Sequence, residues 1–361
     1  MESLGININF WKGKRVLVTG HAGFKGSWLC LWLNQLGANI SGISLEEPVS
    51  NPNMFSSLQI KKSLDDHRID ITHPDACFKI IKATKPEIIF HLAAQPLVMK
   101  SYTDPLTTYK TNVMGTANIL EAARNTVSVK TIVVITSDKC YENIEKDYSY
   151  LETDALGGHD PYSSSKACAE HVASAYYRSF FKDKGVGLAT ARAGNVIGGG
   201  DWSENRLIPD AVKAWANDKK LFIRYPLATR PWQHVLEPLS GYLTLAEHLW
   251  NDSNKFSEGW NFGPDMKNVK TVQDTVKLSA QIWGNSAKWE HSNNNQLHEA
   301  SLLQLSSDKA RSLLGWQPII EFAEAVSESI YWYKEYYSGN KNMLELTLKQ
   351  IANYESTAIH V

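Results

Sequence analysis

The apolar residues of the chain follow two alternating patterns over its first two-thirds. Short apolar runs that end in turn residues are typical of buried strands, and apolar residues spaced three or four apart are typical of helices. The predicted strands are "RVLVTG", "NISGIS", "PEIIFHLAA", "KTIVVITS" and "GVGLATARAGNV", and the predicted helices are "KGSWLCLWLNQLG", "TNVMGTANILEAARN" and "SKACAEHVASAYYRSFF". Strands that alternate with helices form a parallel sheet covered on both faces, so we predict a doubly wound α/β fold.

The alternation weakens after about Gly194, where glycine and proline punctuate the chain. "GNVIGGGDW" and "YPLATRPWQHV" predict irregular loops, which commonly carry a second ligand beyond a nucleotide-binding domain. We therefore predict a nucleotide-binding domain over 1–193 and a mainly substrate-binding domain over 194–361, with about 234–252 returning to the first. Two more helices are predicted, in "EFAEAVSESIYWYKEYY" and "NMLELTLKQIANY". The last one either packs on the protein or forms a loosely attached tail.

Composition excludes several functional classes. The 361 residues carry 37 Lys and Arg against 38 Asp and Glu, so no basic excess points to nucleic acid. The four cysteines lack C-x-x-C spacing, which fits a reducing compartment, and the 11 histidines show no H-E-x-x-H pattern, so no metal is expected. No segment resembles a signal peptide or approaches the roughly 18 apolar residues of a membrane span. These features favour a cytoplasmic enzyme.

A glycine-rich turn separates the first predicted strand from the first predicted helix. In "VTGHAGFKG", Gly20, Gly23 and Gly26 surround Phe24 and Lys25. Glycines at such a position allow the backbone to approach a diphosphate at the helix N-terminus, although a plain strand-to-helix turn remains the alternative. The second strand ends at Ser44, where an acid usually reads the ribose, and no Arg or Lys follows before Lys61 to bind a 2′-phosphate. NAD is therefore favoured over NADP.

A tyrosine and a lysine in "YSSSK" lie one helical turn apart. Tyr162 and Lys166 would share a helix face, and Ser137 ends the preceding strand. Tyrosine is a poor base at neutral pH because its pKa is near ~10, but neighbouring cations stabilise the phenolate. Tyr162 could then accept a proton from a sugar hydroxyl while hydride leaves the same carbon, with Ser137 bonded to that hydroxyl.

These motifs together resemble the extended short-chain dehydrogenase/reductase family. The resemblance covers about 14–315 and includes "VTGHAGFKG", "RIDITHPD", "HLAAQ", "TNVMGT", "ITSDKCY", "YSSSK" and "LSSDKARSLLGW". It implies a Rossmann-type NAD-binding domain with a smaller mixed α/β domain for a sugar nucleotide. It also implies a homodimer or a dimer of dimers, formed through the helices that hold "TNVMGTANILEAARN" and "YSSSKACAEHVASAYYRSFF". Cofactor-binding positions implied by the resemblance are Asp70 and Ile71 at the adenine, then Leu92, Ala93, Ala94 and Gln95, with Asn112 supporting the active-site helix.

Within that family, the chain resembles the sugar-nucleotide 4,6-dehydratases, which carry a pair of acids after the Ser or Thr. Their usual Thr-Asp-Glu is Ser137-Asp138-Lys139 in this chain. Asp138 is the expected acid for the departing C6 hydroxyl, and Lys139 the expected base at C5. Neighbours on a strand face opposite ways, so both reach the sugar only if the chain turns there. The alternative is a surface ion pair between Asp138 and Lys139 worth less than ~1 kcal/mol.

The substrate expectation rests on "HAGFKGSW", on Lys139 and on "RPWQHVLEPLSGYL", which resemble the dehydratases that act on CDP-glucose. The expected substrate-binding residues are Asn195, Arg206, Leu207, Arg230 and His234. Arg192 is a further candidate for the diphosphate, and Trp202 or Tyr225 could stack on the base or pack in the core. No residue distinguishes cytosine from the other pyrimidines at this point. Another nucleotide-sugar dehydratase, a C4 epimerase and a non-catalytic NAD-binding regulator remain alternatives.

Overall fold

The fold is built around one parallel sheet. The computed structural model describes residues 6–46, 50–265, 269–284, 286–291 and 303–359. Its strands are β1 (Arg15–Thr19), β2 (Asn39–Ser44), β3 (Asp65–Arg68), β4 (Ile88–His91), β5 (Thr131–Ile135), β7 (Gly187–Ala193) and β12 (Gly259–Phe262). Their order across the sheet is β12-β7-β5-β4-β1-β2-β3. The predicted doubly wound fold is confirmed, because the strand order reverses between β1 and β4.

Helices cover both faces of this sheet, and β4, β5 and β7 are buried along their whole lengths. Such continuous apolar strands are typical of a parallel sheet covered on both faces. The helices are α1 (Ile8–Trp11), α2 (Phe24–Gln35), α3 (Met54–Ser57), α4 (Pro74–Thr84), α5 (Val98–Thr103), α6 (Pro105–Tyr109), α7 (Gly115–Arg124), α8 (Pro161–Tyr176), α9 (Leu207–Ala216), α10 (Leu236–Asn251), α11 (Ser253–Phe256), α12 (Val272–Trp283), α13 (Asp308–Leu314), α14 (Phe322–Tyr337) and α15 (Met343–Ile359). Single π-helical turns precede α7 and follow α8.

Short strand pairs accompany the helices that follow β7. They are β6 (Ser149–Tyr150) with β15 (Gln304–Leu305), β8 (Val196–Ile197) with β11 (Gln233–His234), β9 (Lys220–Ile223) with β14 (Lys288–His291), and β10 (Thr229–Pro231) with β13 (Val269–Thr271). Helices α9, α12 and α14 pack beside them. This region holds the mixed α/β structure expected of the smaller domain, and the exact division of the chain stays a prediction.

The C-terminal half returns to the central sheet twice. Helix α10 packs against β5 and β7, within the range predicted to return, and β12 adds a seventh strand next to β7. The last helix, α15, is not a loose tail, because Trp32 Nε1 donates to Glu355 Oε1 (2.7 Å) and Tyr354 OH donates to Glu237 Oε2 (2.8 Å). The packed alternative for this helix is therefore the one observed. Among the described residues, none of the helices combines the length and apolar character needed to cross a membrane.

Candidate active site

The turn between β1 and α2 requires glycine at two positions. Gly20 has a φ of +75°, and a Cβ there would lie 2.8 Å from the Ala93 nitrogen. A Cβ at Gly26 would lie 2.2 Å from the Gly20 oxygen. Gly23 is the N-cap of α2, and in the described part of the chain no side chain caps that helix. Its first N–H groups are thus left for an anion at the carboxyl edge of the sheet.

Asn112 connects the loop after β4 with helix α8. Its Oδ1 accepts from Gln95 N (2.7 Å), and its Nδ2 donates to Gln95 O (3.1 Å) and to Ser165 Oγ (2.8 Å). On the other side, Ala93 N donates to Thr19 Oγ1 (3.1 Å) at the end of β1. The loop that contains Leu92, Ala93, Ala94 and Gln95 is therefore fixed between β1 and α8. Asp70 and Ile71 follow β3 at the same edge of the sheet.

An arginine lies beside the end of β2, where sequence reasoning expected no cation. Arg68 is opposite Ser44 in the β2–β3 register, and its Nη1 donates to Leu45 O (3.0 Å). Its Nε lies 2.8 Å from Asp66 Oδ1, which also bonds to His21 Nε2 in the glycine turn (2.7 Å). Because Asp66 already compensates the charge of Arg68, a 2′-phosphate would meet a paired cation. The position of Arg68 next to Ser44 follows from the register of β3 against β2, which the sequence alone does not give.

The chain turns directly after β5. Ser137 is extended, with φ −168°, and Asp138–Cys140 then form one turn of 3-10 helix. Ser137 Oγ donates to Asp138 Oδ1 (2.9 Å) and accepts from Lys139 N (3.3 Å). This turn lets Asp138 and Lys139 line one cavity instead of facing opposite ways.

Asp138 is 3% exposed, so the surface ion pair considered from the sequence does not describe it. Burial raises the pKa of the Asp138 carboxyl, against the charge of Lys139, the hydrogen bonds from Ser137 and Lys139, and the charge of Lys25. Asp138 therefore holds a proton more readily than an exposed carboxyl does.

Tyr162 and Lys166 lie in the first turns of α8, and both are buried. The helix begins at Pro161, where the side chain of Asp160 accepts from Ser163 N. Burial raises the pKa of Tyr162 to about 12, while a hydrogen bond with Ser137 and the charge of Arg206 act in the opposite direction.

Lys166 lies one helical turn beyond Tyr162. Burial lowers the pKa of its ammonium to about 8. Its Nζ donates to Ile135 O (3.1 Å), which ties α8 to the end of β5. The serine, the tyrosine and the lysine are thereby brought to the same strand end.

Lys25 lies in the first turn of α2, and its side chain lines the cavity. Burial lowers the pKa of Lys25 to about 7, with help from the charges of Arg206 and Lys166, while Asp138 and Asp201 raise it. The glycine pattern predicts a cofactor role for this residue. Lys25 and Asp138 line the same cavity, and the charge of the ammonium acts to lower the pKa of the Asp138 carboxyl.

Arg192 is part of a buried ion pair and does not line the cavity. Its Nε and Nη2 donate to Glu170 Oε1 (2.9 Å) and Oε2 (2.8 Å), and its Nη1 donates to Tyr141 OH (2.6 Å). Burial alone would raise the pKa of Glu170, but the charge of Arg192 and the bonds from Arg192, Thr136 and Thr190 lower it. The expectation that Arg192 could bind a diphosphate is wrong, because its guanidinium is already committed.

The cavity has a volume of about 360 Å³ and extends from Ser137, Asp138 and Tyr162 to the segment after β7. Asn195, Arg206, Leu207 and Arg230 all line it, as predicted substrate residues would. Arg206 Nη1 donates to Asp201 Oδ2 (2.9 Å) at the start of α9. Tyr225 also lines the cavity, whereas Trp202 is buried and packs against Trp332, Tyr333 and Tyr336.

His234 does not support its expected substrate contact. It is 1% exposed, does not belong to the cavity lining, and packs edge-on against Trp28 with ring centroids 5.9 Å apart. Burial lowers the pKa of His234 to about 3, so the ring is neutral. In the described ranges, no group of three or more His, Cys, Asp or Glu is arranged to hold a metal ion.

Comparison with known proteins assigns the chain to a family. The family model described as GDP-mannose 4,6 dehydratase matches residues 17–329. The chain belongs to this family. The CDP-glucose 4,6-dehydratase of Salmonella typhimurium is 47% identical over 97% of this chain and 99% of that protein. The dTDP-D-glucose 4,6-dehydratase of Homo sapiens is 25% identical over 91% of this chain and 93% of that protein.

Solved structures of other proteins share the fold of this chain. An epimerase from Methanothermobacter thermautotrophicus has a TM-score of 0.80 at 23% identity, with 92% of this chain and 95% of that chain covered. The dTDP-glucose 4,6-dehydratase of Bacillus anthracis in complex with NAD has a TM-score of 0.74 at 24% identity, with 92% and 100% covered. The resemblance to sugar-nucleotide 4,6-dehydratases among the extended short-chain dehydrogenase/reductases is confirmed.

Proposed function

We propose that the protein is an NAD-dependent hydro-lyase that converts CDP-D-glucose to CDP-4-dehydro-6-deoxy-D-glucose and water. The observation that carries this proposal is the turn after Ser137, which brings an acid and a lysine into the cavity that Tyr162 lines. The 47% identity to a CDP-glucose 4,6-dehydratase supports the choice of reaction and substrate.

The residues present fit NAD. The uncapped N-terminus of α2 suits a diphosphate. The turn before it is packed so closely that a Cβ at Gly20 or Gly26 would collide with neighbouring backbone atoms. Ala93, Ala94 and Gln95 would line the cofactor beside it, and Asp70 with Ile71 would lie at the adenine. NAD, when bound, supplies the hydride acceptor for C4 and the hydride that returns to C6.

Tyr162 removes the proton from the C4 hydroxyl, and Ser137 holds that oxygen by a hydrogen bond. Because burial raises the pKa of Tyr162 to about 12, its phenolate needs nearby positive charge, to which Arg206 contributes. The resulting C4 ketone acidifies the hydrogen at C5.

Lys139 then removes the C5 proton in its neutral form. Asp138 donates a proton to the departing C6 hydroxyl, which leaves as water. A proton returns to C5 when C6 is reduced, so the sum of the steps is loss of one water with no net oxidation. Burial raises the pKa of the Asp138 carboxyl, which favours the protonated form that this role requires.

One incubation tests the reaction. The NAD-loaded protein is mixed with CDP-glucose in deuterated water, and the product is examined by mass spectrometry and NMR. We expect a 4-keto-6-deoxy sugar with one deuterium at C5. A product epimerised at C4 without loss of water, or NAD binding without turnover of any nucleotide sugar, would reject the proposal in favour of an epimerase or a regulator.

A further inference from the structure

We propose that Asp210 recognises the exocyclic amino group of cytosine and thereby selects a cytidine nucleotide over a uridine nucleotide. The inference rests on the proposed function, because it assigns one end of the same cavity to the nucleoside. Sequence reasoning provided no residue for this choice of base.

Asp210 lies in the first turn of α9 and lines the cavity. The charges that act most strongly on its carboxyl belong to Lys213, Arg224 and Glu204, none of which has a catalytic role in the proposed reaction. In a nucleotide sugar, the base is the group farthest from the reacting carbons C4 to C6. The end of the cavity at Asp210 is therefore the end that suits the base.

The same end of the cavity offers an aromatic surface. Phe222 on β9 is 61% exposed and lines the cavity together with its buried neighbours Leu221 and Ile223. Tyr225 lines the cavity two residues beyond β9. Exposed aromatic rings suit stacking on a flat base.

The carboxyl of Asp210 keeps the capacity to accept further hydrogen bonds. It accepts one from the backbone N–H of Asn205, and a carboxylate offers about four acceptor sites on its two oxygens. The nearby ammonium of Lys213 uses one of its three protons in a hydrogen bond to Trp202 O (2.5 Å).

The hydrogen-bonding groups of the pyrimidine ring then decide which nucleotide is preferred. Cytosine carries an amino group at position 4 that donates hydrogen bonds, whereas uracil and thymine carry a carbonyl oxygen that only accepts. An ionised carboxylate also only accepts, so it pairs with the amino group and repels the carbonyl oxygen. Asp210 therefore favours CDP over UDP and dTDP.

The test measures nucleotide binding without turnover. The full-length wild type, Asp210→Asn, Asp210→Ala and the control Glu204→Gln are titrated calorimetrically with CDP and with UDP at about pH 8. We expect the ratio of the UDP to the CDP dissociation constant to fall about tenfold in both Asp210 variants. The control removes a neighbouring carboxylate from the same cavity lining, and it should keep the wild-type ratio.

Two results would overturn the inference: an unchanged ratio in both Asp210 variants, or an equal fall in the Glu204→Gln control. The proposed function is judged separately, by turnover of the wild type. A wild type that dehydrates CDP-glucose while the Asp210 variants keep the ratio rejects only the inference. A wild type that dehydrates no nucleotide sugar rejects the function.

Discussion

The proposed acid and base differ in their surroundings although they are adjacent in sequence. Asp138 is almost fully buried beside Ser137, whereas Lys139 is half-buried at the wall of the cavity. Burial disfavours the charged form of the Asp138 carboxyl, and its proposed role as an acid requires the protonated, neutral form. The backbone turn at Ser137 is what allows both side chains to act on one sugar.

Replacing Lys139 by Met should separate the first chemical step from the second. Oxidation at C4 needs Ser137 and Tyr162, so the NADH absorbance should still rise when CDP-glucose is added to the NAD-loaded variant. Exchange at C5 should be lost and turnover should fall by about 10²- to 10⁴-fold, the usual contribution of a general base. Both are measured in deuterated water.

The matched control is Lys146→Met, which removes an exposed lysine a short distance along the chain. It should keep wild-type exchange and turnover. Deuterium incorporation at C5 at the wild-type rate in the Lys139→Met variant would remove Lys139 from the mechanism.

The buried pair of Glu170 and Arg192 predicts an asymmetric response to mutation. Arg192→Met leaves the Glu170 carboxylate buried without its charge partner, which should lower the free energy of unfolding by about 3–5 kcal/mol. The double variant Glu170→Met/Arg192→Met should recover most of that loss, since it leaves no unpaired charge. Chemical denaturation measures both, and equal stability of single and double variants would contradict this account.

Single residues were the hardest to predict from sequence where their partners are distant in the chain. The Ser, Tyr and Lys motifs have fixed local spacing, which is why they could be placed on a strand end and a helix face. Arg192 and His234 lie in segments that suggest a binding role equally well. In the structure, however, Arg192 pairs with Glu170 and His234 packs against Trp28. Their burial depends on contacts that no local pattern contains.

At the scale of elements, one carboxyl fastens the C-terminal helices to the sheet. Glu237, in the first turn of α10, accepts from Ile319 N (2.8 Å), Ile320 N (2.5 Å) and Tyr354 OH (2.8 Å). Ser240 on the same helix bonds to Tyr354 OH and accepts from Trp316 Nε1. This group joins α10, the segment after α13, and α15.

The buried Glu237 carboxyl predicts that the stability of the fold depends on pH. Burial raises the pKa of Glu237 to about 7, against bonds from Ile320, Tyr354 and Ile319 that lower it. A raised carboxyl pKa means that the folded state binds more protons, so its stabilising contribution is complete below about pH 4.5 and is lost as pH rises toward about 7. The loss is at most about 3 kcal/mol.

Glu237→Gln cannot ionise, so its urea unfolding midpoint should fall less than that of the wild type between about pH 5 and 8. Glu345→Gln, an exposed change in the first turn of α15, is the control and should follow the wild type. If the urea unfolding midpoints of the wild type and Glu237→Gln change equally with pH, the Glu237 carboxyl does not titrate in this range.

Long elements with a regular apolar pattern were predicted well. Short strands, and strands whose pairing partner is far away along the chain, were not. The five predicted strands and the long helices appear in the structure because continuous apolar runs and helical spacing mark them locally. Strand β12 was missed because its four residues follow β7 by more than sixty positions and its pairing is a long-range event. Pairs such as β8 with β11 have two residues each, too few to show any period.

At the scale of the whole molecule, exposed apolar side chains lie on the two segments that the family resemblance assigns to a dimer and on the adjoining helix α6. Leu106 on α6 is 81% exposed, Met114 before α7 is 55% exposed, and Phe180 after α8 is 40% exposed. Helix α8 packs against both α6 and α7, so these side chains belong to neighbouring elements. Exposed apolar residues on adjoining elements are typical of an interface.

The double variant Leu106→Glu/Met114→Glu should therefore prevent formation of the dimer that the resemblance predicts. In a twofold interface each substitution occurs twice, so four new carboxylates would have to be buried or forced apart. Sedimentation velocity should show a species of about half the wild-type mass. Leu227→Glu is the matched control, because Leu227 is 78% exposed but lies between β9 and β10, outside these helices. If the control dissociates equally, or if the double variant keeps the wild-type mass, the subunits associate through another surface.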